Sequence, residues 1–300
     1  METFLIEQIN GSNGPLAGST IKNTTSIKGG CVHDAWCLEL NDGEKVFAKT
    51  SSLKNFQMLK VESDGLKALN EYANKNVLYI PKPLMVQKLE THSILLMPWI
   101  KFARGDELKL GEGLALLHKT SATKGQEFFG WSEDGFIGLG SQLKGWKKQW
   151  GECFTDLRLK PQIQIAQKWG LDINLNKLDK FLSQIRSLLD EHEPSPSLVH
   201  GDLWKGNAGI DEKGCGIIFD PAVWWADREV DIAMTLLFGG FSKNFYAGYQ
   251  KIWPLEEKWE TRVDIYNFYH LLNHANIFGG SYKSQCYEAI KKIYKVLNTE

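Results

Sequence analysis

Leu198-Val199-His200-Gly201-Asp202-Leu203-Trp204-Lys205-Gly206-Asn207 is followed thirteen residues later by Asp220, in Ile217-Ile218-Phe219-Asp220-Pro221. The pattern is H-x-D-x4-N with a downstream Asp. Phosphoryl transfer from ATP needs one carboxylate to hold and deprotonate an acceptor hydroxyl, and oxygen ligands for the Mg²⁺ ions that bridge the phosphates. Asp202, Asn207 and Asp220 match those needs in residue type and in spacing. The apolar runs on either side read as strands that stiffen the loop, and positioning supplies most of the catalysis in this reaction. The competing reading is a β-turn loop whose Asp and Asn cap helices or turns.

Working outward, the same chemistry calls for a lysine on an upstream strand, paired with a helix glutamate. Phosphate oxygens want a fixed positive charge, and a carboxylate keeps the long lysine chain aimed. Val46-Phe47-Ala48-Lys49 supplies the lysine at a strand end, and Glu62 lies one short connection away on a predicted helix, with Glu71 the alternative if the helix register differs. The turn Lys28-Gly29-Gly30-Cys31 falls between the first two strands, where Gly29 and Gly30 offer a flexible backbone to cover the phosphates. Cys31 in such a loop is either an inert small residue or an exposed thiol near positive groups, open to redox chemistry. Ile94 to Trp99 ends a strand where two parts of the chain meet, and the backbone of Met97, Pro98 and Trp99 is the place for adenine to hydrogen-bond.

The texture of the chain changes near residue 100. Before it, Ser26 to Lys28, Ala35 to Leu40 and Lys45 to Thr50, with a turn at Asn41-Asp42-Gly43, read as a small antiparallel sheet. Leu53 to Asn74 carries Phe56, Leu59, Leu66, Leu69 and Ala73 at helical spacing, and Leu84 to Leu89 and Ile94 to Trp99 resume as strands. After it, Leu108 to His118, Gln142 to Leu157, Leu175 to Leu189, Val230 to Leu237, Glu256 to Phe278 and Gln285 to Leu297 read as helices. A strand insert, Leu198-Val199, Asn207 to Ile210 and Gly216 to Phe219, sits among them and carries the polar residues. The expected fold is α+β and bilobal. Residues 1–97 form an ATP-binding lobe of antiparallel sheet with one main helix, residues 98–300 a larger, mainly helical lobe for catalysis and substrate, and the ligand lies in the crevice between them.

Composition narrows the alternatives. Lys+Arg 35 against Asp+Glu 36 leaves a net charge of -1, too little field to grip a nucleic acid or an anionic membrane. No run approaches the roughly 18 apolar residues of a membrane span, and the start lacks the form of a signal peptide, so a cytoplasmic location is expected. Five cysteines, odd in number and without a C-x-x-C pair, point to reduced thiols and not to disulfides or a structural zinc site. His270 and His274 share a helix face at zinc-like spacing, but no Glu follows His270, which favours core or capping histidines. Eleven Trp and fifteen Phe exceed what a minimal core requires and hint at rings lining a sugar-like ligand's pocket. Trp204, Trp224, Trp225 and Phe241 are the candidates, with core packing the alternative for each of the last three. A catalytically silent ATP-binding protein normally lacks one of the Lys, Asp, Asn, Asp set, and all four are present here.

At this point the chain resembles the fructosamine kinase (ketosamine kinase) family, relatives of the aminoglycoside phosphotransferases within the protein-kinase-like fold. The segments that carry the resemblance are His200 to Asn207, Asp220-Pro221-Ala222-Val223-Trp224-Trp225, Arg228 to Met234, Leu237 to Phe241, Leu114 to His118, Trp146 with Phe154 and Arg158-Leu159, and Leu272-Asn273-His274 with Phe278-Gly279. The resemblance implies ATP-dependent phosphorylation of the sugar 3-hydroxyl of a ketosamine, a fructosamine or ribulosamine on an amine or a protein lysine, which is a deglycation activity. It implies Asp202 as catalytic base, Asn207 and Asp220 as Mg²⁺ ligands, Lys49 with Glu62 on the phosphates, and His200 and Asp231 as supports of the loop. Gly201 and Trp204 replace the Arg and Lys of protein kinases, which favours a small acceptor over a peptide. An aminoglycoside or choline kinase would keep the same loop and change only the acceptor pocket. A monomer and a homodimer fit equally.

Overall fold

In the computed structural model of the chain, residues 1–27, 32–172 and 175–298 are described. A short helix α1 (Thr3–Asn10) precedes three strands, β1 (Ile21–Ile27), β2 (Asp34–Leu40) and β3 (Lys45–Ser52). Helix α2 (Phe56–Tyr72) follows a single 3-10 turn, and β4 (Leu78–Tyr79), β5 (Met85–Lys88) and β6 (His92–Pro98) complete the first part. Five of these strands form an antiparallel sheet in the order β1-β2-β3-β6-β5.

The sheet is buried on both faces because alternate residues of a strand point to opposite sides. On β6, Ile94 and Leu96 join Leu5 and Ile9 of α1, while Leu95 and Met97 join Leu59, Leu66 and Leu69 of α2. Residues opposite one another in an antiparallel ladder share a face. Lys49 stands opposite Leu95, and so projects toward α2. On α2, Glu62 lies one turn beyond Leu59 on the buried face, where the 3.6-residue period aims it back at the sheet.

The second part opens with β7 (Phe102–Ala103) and α3 (Leu108–Lys124). Then come four short strands, β8 (Phe129–Trp131), β9 (Gly135–Ile137), β10 (Gly140–Gln142) and β11 (Gly145–Lys147). Helix α4 (Trp150–Phe154) runs through a π-helical turn (Thr155–Leu159) into α5 (Lys160–Gln167), and α6 (Leu175–Glu191) follows. Next are β12 (Ser197–Val199), a 3-10 turn (Lys205–Asn207), β13 (Ala208–Asp211), β14 (Gly216–Ile218) and β15 (Trp224–Ala226). The chain closes with α7 (Glu229–Leu237), α8 (Lys243–Ile252), α9 (Trp259–Phe278) and α10 (Ser281–Leu297). None of these helices is long and apolar enough to cross a membrane.

Two small sheets organise the middle of this part, β11-β8-β15-β12 and β4-β14-β13-β7. In the second, Leu78 and Tyr79 pair in parallel with Gly216 and Ile217, so a strand from the first part closes a sheet of the second. One apolar cluster spans both parts, from Leu59, Leu66 and Met97 to Leu110, Leu114, Leu198, Ile218 and Trp225. The two parts thus share one core and one sheet.

Two sequence expectations need correction. Gln142 to Leu157 is not one helix: Gly145–Lys147 pairs antiparallel with Phe129–Trp131, and helix begins only at Trp150. The apolar spacing there is compatible with either state, and a cross-strand partner distant in sequence decides it. Helices α1 and α8 were not expected; each buries little more than one i, i+4 pair, Leu5 with Ile9 and Phe245 with Tyr249.

Candidate active site

The loop after β12 is set by its backbone before its side chains. Gly201 sits at φ +80°, and a Cβ there would stand 2.1 Å from the Ala222 carbonyl oxygen, so only glycine fits. The Asp231 carboxylate, from the first turn of α7, accepts the His200 N–H at 2.7 Å and the Gly201 N–H at 2.8 Å. Burial alone would raise the Asp231 carboxyl, but His118, His200 and the Gly201 amide outweigh that and hold it below the usual carboxylate range. His118 is buried and bridges Asp231 Oδ2 (3.1 Å) to the Tyr249 hydroxyl (2.9 Å). The sequence marked His118 only as the end of the Leu114 to His118 segment.

His200 links the two chain segments that carry the oxygen ligands. Its Nδ1 accepts the Asp202 N–H at 3.3 Å, which leaves Nε2 to donate to the Phe219 carbonyl at 2.9 Å. Burial lowers its pKa, consistent with that neutral tautomer. Asn207 completes the fastening: its Nδ2 donates to the Asp202 carbonyl (2.9 Å), to Asp202 Oδ2 (3.3 Å) and to the Asp220 carbonyl (3.3 Å). The nitrogen is thereby committed, and the amide oxygen is the ligand Asn207 can offer. Asp220 holds φ +58°, a conformation uncommon outside glycine that persists where the surroundings enforce it.

From the first sheet, Lys49 Nζ donates to Glu62 Oε1 at 2.8 Å and to Asp220 Oδ1 at 2.6 Å. The second contact joins residues 171 positions apart. Burial would push the Lys49 ammonium down, but the Asp220 and Glu62 carboxylates outweigh it and hold it above its ordinary range. For Asp220 burial works upward, and Lys49 more than reverses it. Among the described residues, no cation is paired with Asp202 in this way. Burial, and then the Asp220 charge, push its carboxyl up to about 8, the direction that makes a carboxylate a stronger base.

The structure therefore brings Lys49, Glu62, Asp202, Asn207, Asp220, His200 and Asp231 together. Glu71, the alternative to Glu62, is exposed on the far side of α2. Met97 is buried, and Pro98, which closes β6 opposite Val46, and Trp99 are half-buried at the start of the linker. Gly29, Gly30 and Cys31 lie outside the described residues. Just past the linker, Phe102 is 54% exposed, packs where a Cβ on Gly209 would be, and stands 5.5 Å from the Phe219 ring. No motif pointed to it.

The candidate rings divide. Trp204 is 40% exposed, folds over Gly206 and meets the edge of Phe238 at 6.4 Å. Phe241 is half-buried against Phe245 at 4.6 Å. Trp224 and Trp225 require correction, being 0% and 6% exposed. Trp224 packs on Trp150 at 5.5 Å and under the Arg158 guanidinium at 4.0 Å, and Trp225 against Tyr72. Both belong to β15, which is buried along its length, so both rings serve core packing.

The histidines at zinc-like spacing lie on the buried side of α9. His270 is fully buried, and desolvation lowers it to about 3, while His274 Nδ1 bonds the His270 carbonyl oxygen. Among the described residues, His192, Asp227 and Glu229 do stand within ligand distance of one another. Their carboxylates are already engaged, Glu229 by both arms of Arg262 and Asp227 by the Tyr266 hydroxyl, and the Arg262 charge opposes a second cation.

Comparison with known proteins places this geometry among relatives. The sequence pattern described as "Fructosamine kinase" matches residues 4–296. A Synechocystis protein assigned as a ketoamine kinase is 37% identical over 280 residues, 92% of each chain. A rice protein-ribulosamine 3-kinase is 34% identical over 281 residues, covering 92% of this chain and 80% of its own. Among solved structures, a Haemophilus somnus protein assigned as a fructosamine-3-kinase superposes with a TM-score of 0.82 at 28% identity, over 96% of this chain and 95% of its own. A choline kinase from Streptococcus pneumoniae, at 13% identity and a TM-score of 0.62 over 98% and 99% of the two chains, shares the fold.

Proposed function

The chain belongs to the fructosamine kinase family, and from that premise we propose that it transfers the γ-phosphoryl group of ATP to the sugar 3-hydroxyl of a ketosamine. The amine bearing the sugar is a small molecule or a protein lysine, and the outcome is deglycation. Asp202 takes the proton of the sugar hydroxyl. Lys49, aimed by Glu62, contacts the phosphates, and His200 and Asp231 keep the loop in register. The donor set at Asp220 and Asn207 is all oxygen, which suits Mg²⁺. A bound Mg²⁺ there would neutralise phosphate charge. Phe102 offers the nucleotide base a flat apolar surface, and the backbone at Met97 to Trp99 offers it hydrogen bonds. Trp204 and Phe241 stand on the acceptor side of the loop. Buried free thiols at Cys37, Cys153, Cys215 and Cys286 suit a reducing cytoplasm.

The observation that carries this reading is the Lys49 to Asp220 contact, made while Asp202 and Asn207 stand on the same loop face. The test is an ADP-release assay with ribulose-lysine, fructose-lysine, an aminoglycoside and choline side by side. Turnover of one or both ketosamines is expected. Turnover of only the aminoglycoside or choline would replace this substrate class with another on the same fold.

A further inference from the structure

Lys205 lies within the catalytic loop, between Asp202 and Asn207, yet its side chain turns away from both. Its ammonium ion-pairs with Glu107, the residue before α3, and stands 5.3 Å over the Phe241 ring. Glu107 is 6% exposed, and its other carboxylate oxygen accepts the Ser242 N–H at 2.6 Å. One buried carboxylate thus holds the catalytic loop with one oxygen and the α7–α8 connection with the other.

That connection has little stiffness of its own, since Gly239 and Gly240 sit at φ +67° and +94° and glycine is the most freely flexing residue. The stem of Lys205 packs where a Cβ on Gly240 would be, 3.0 Å from its own Cβ. The rings flanking the glycines face the catalytic loop, Phe238 against Trp204 and Phe241 beneath the Lys205 ammonium. A buried carboxylate stripped of its cation is strongly unfavourable, so Glu107 keeps Lys205 in place and the aromatic wall follows. The Lys205–Glu107–Ser242 bonds involve none of Lys49, Glu62 and Asp220.

We propose that Lys205 and Glu107 form a latch that fixes the Phe238–Ser242 wall of the acceptor site, so that Lys205 is a positioning residue setting how tightly the sugar adduct is held. The effect on substrate rests on the ketosamine reading; the effect on the wall does not. Lys205→Met keeps the stem and removes the charge. Because it strands Glu107, it is paired with the double variant Lys205→Met/Glu107→Gln, which removes both charges at nearly constant shape. In both, the KM for ribulose-lysine should rise about tenfold, while kcat and the KM for ATP stay within about twofold. Lys205→Arg should recover most of the loss. Amide hydrogen exchange at Gly239 to Ser242 should quicken in both charge-removing variants, whatever the substrate proves to be. Unchanged exchange there would overturn the latch, as would an unchanged ketosamine KM in the double variant. A wild type inert toward every ketosamine would defeat the substrate reading instead, and the exchange rates would still decide the latch.

Discussion

Asp202 is a residue at which chemistry and folding pull in opposite directions. Its carboxyl, ordinarily at 3.8, is pushed up to about 8 by burial and by Asp220. A group raised in the folded state supports the fold below its unfolded value, and that support is lost as pH rises toward the folded one. Without nucleotide or divalent cation, Asp202→Asn should therefore melt a few degrees above the wild type at pH 8 and level with it at pH 4. A lower melting point at pH 8 would contradict the assigned environment. With Asp202 as the proposed base, the same substitution should also lower kcat at least about a hundredfold while ATP affinity by calorimetry is kept. Asp231 carries the opposite sign. Its carboxyl is held low, so its contribution is present above its ordinary value and is lost as pH falls through the folded one. Asp231→Asn should flatten the acid limb of the stability curve, and an unaltered limb in thermal melts from pH 5 to pH 3 would count against the pairing with His118 and the loop amides.

Elements differ in how much of them the sequence reveals. Strands Asp34–Leu40 and Lys45–Ser52 and helix Phe56–Tyr72 were legible because turn chemistry and apolar periodicity agree there with the fold. The stretch from Phe129 to Leu159 was not, since its strands are three residues long and its π-helical turn has no sequence signature. The polar constellation was legible because Asp202, Asn207 and Asp220 lie close in sequence and Lys49 and Glu62 are adjacent elements. The latch was not, because Glu107 and Lys205 are 98 positions apart, Glu107 stands in no motif, and the H-x-D-x4-N spacing leaves position 205 open. Rings divide in the same way: Trp204, Trp224 and Trp225 look alike in sequence, and only pairing with β12 and β8 shows that β15 is interior. Trp224→Ala should cost about 3–5 kcal/mol of stability, read by denaturant unfolding. Trp204→Ala should leave the unfolding midpoint nearly unchanged and raise the KM for the sugar adduct. Equal unfolding midpoints for the two variants would refute this division.

At the scale of the whole molecule, the candidate site is assembled from both parts of the chain over a shared core. The cluster from Leu59 and Met97 to Leu110 and Ile218, with the β4–β14 pairing, fixes the sheet bearing Lys49 against the loops bearing Asp202 and Asp220. Alignment of reacting groups is what phosphoryl transfer chiefly demands of a protein, and here it is built into the packing. The change of texture near residue 100 pointed to a sheet followed by a mainly helical part, but the shared core depends on tertiary contacts that periodicity does not encode. The decisive measurement follows a radiolabelled γ-phosphoryl from ATP, with Mg²⁺, onto ribulose-lysine, comparing the wild type with Asp202→Asn. Label at the sugar 3-oxygen with the wild type, and at least about a hundredfold less with the variant, is the expected result. Label released only as inorganic phosphate, or ester formed equally well by both proteins, would contradict it.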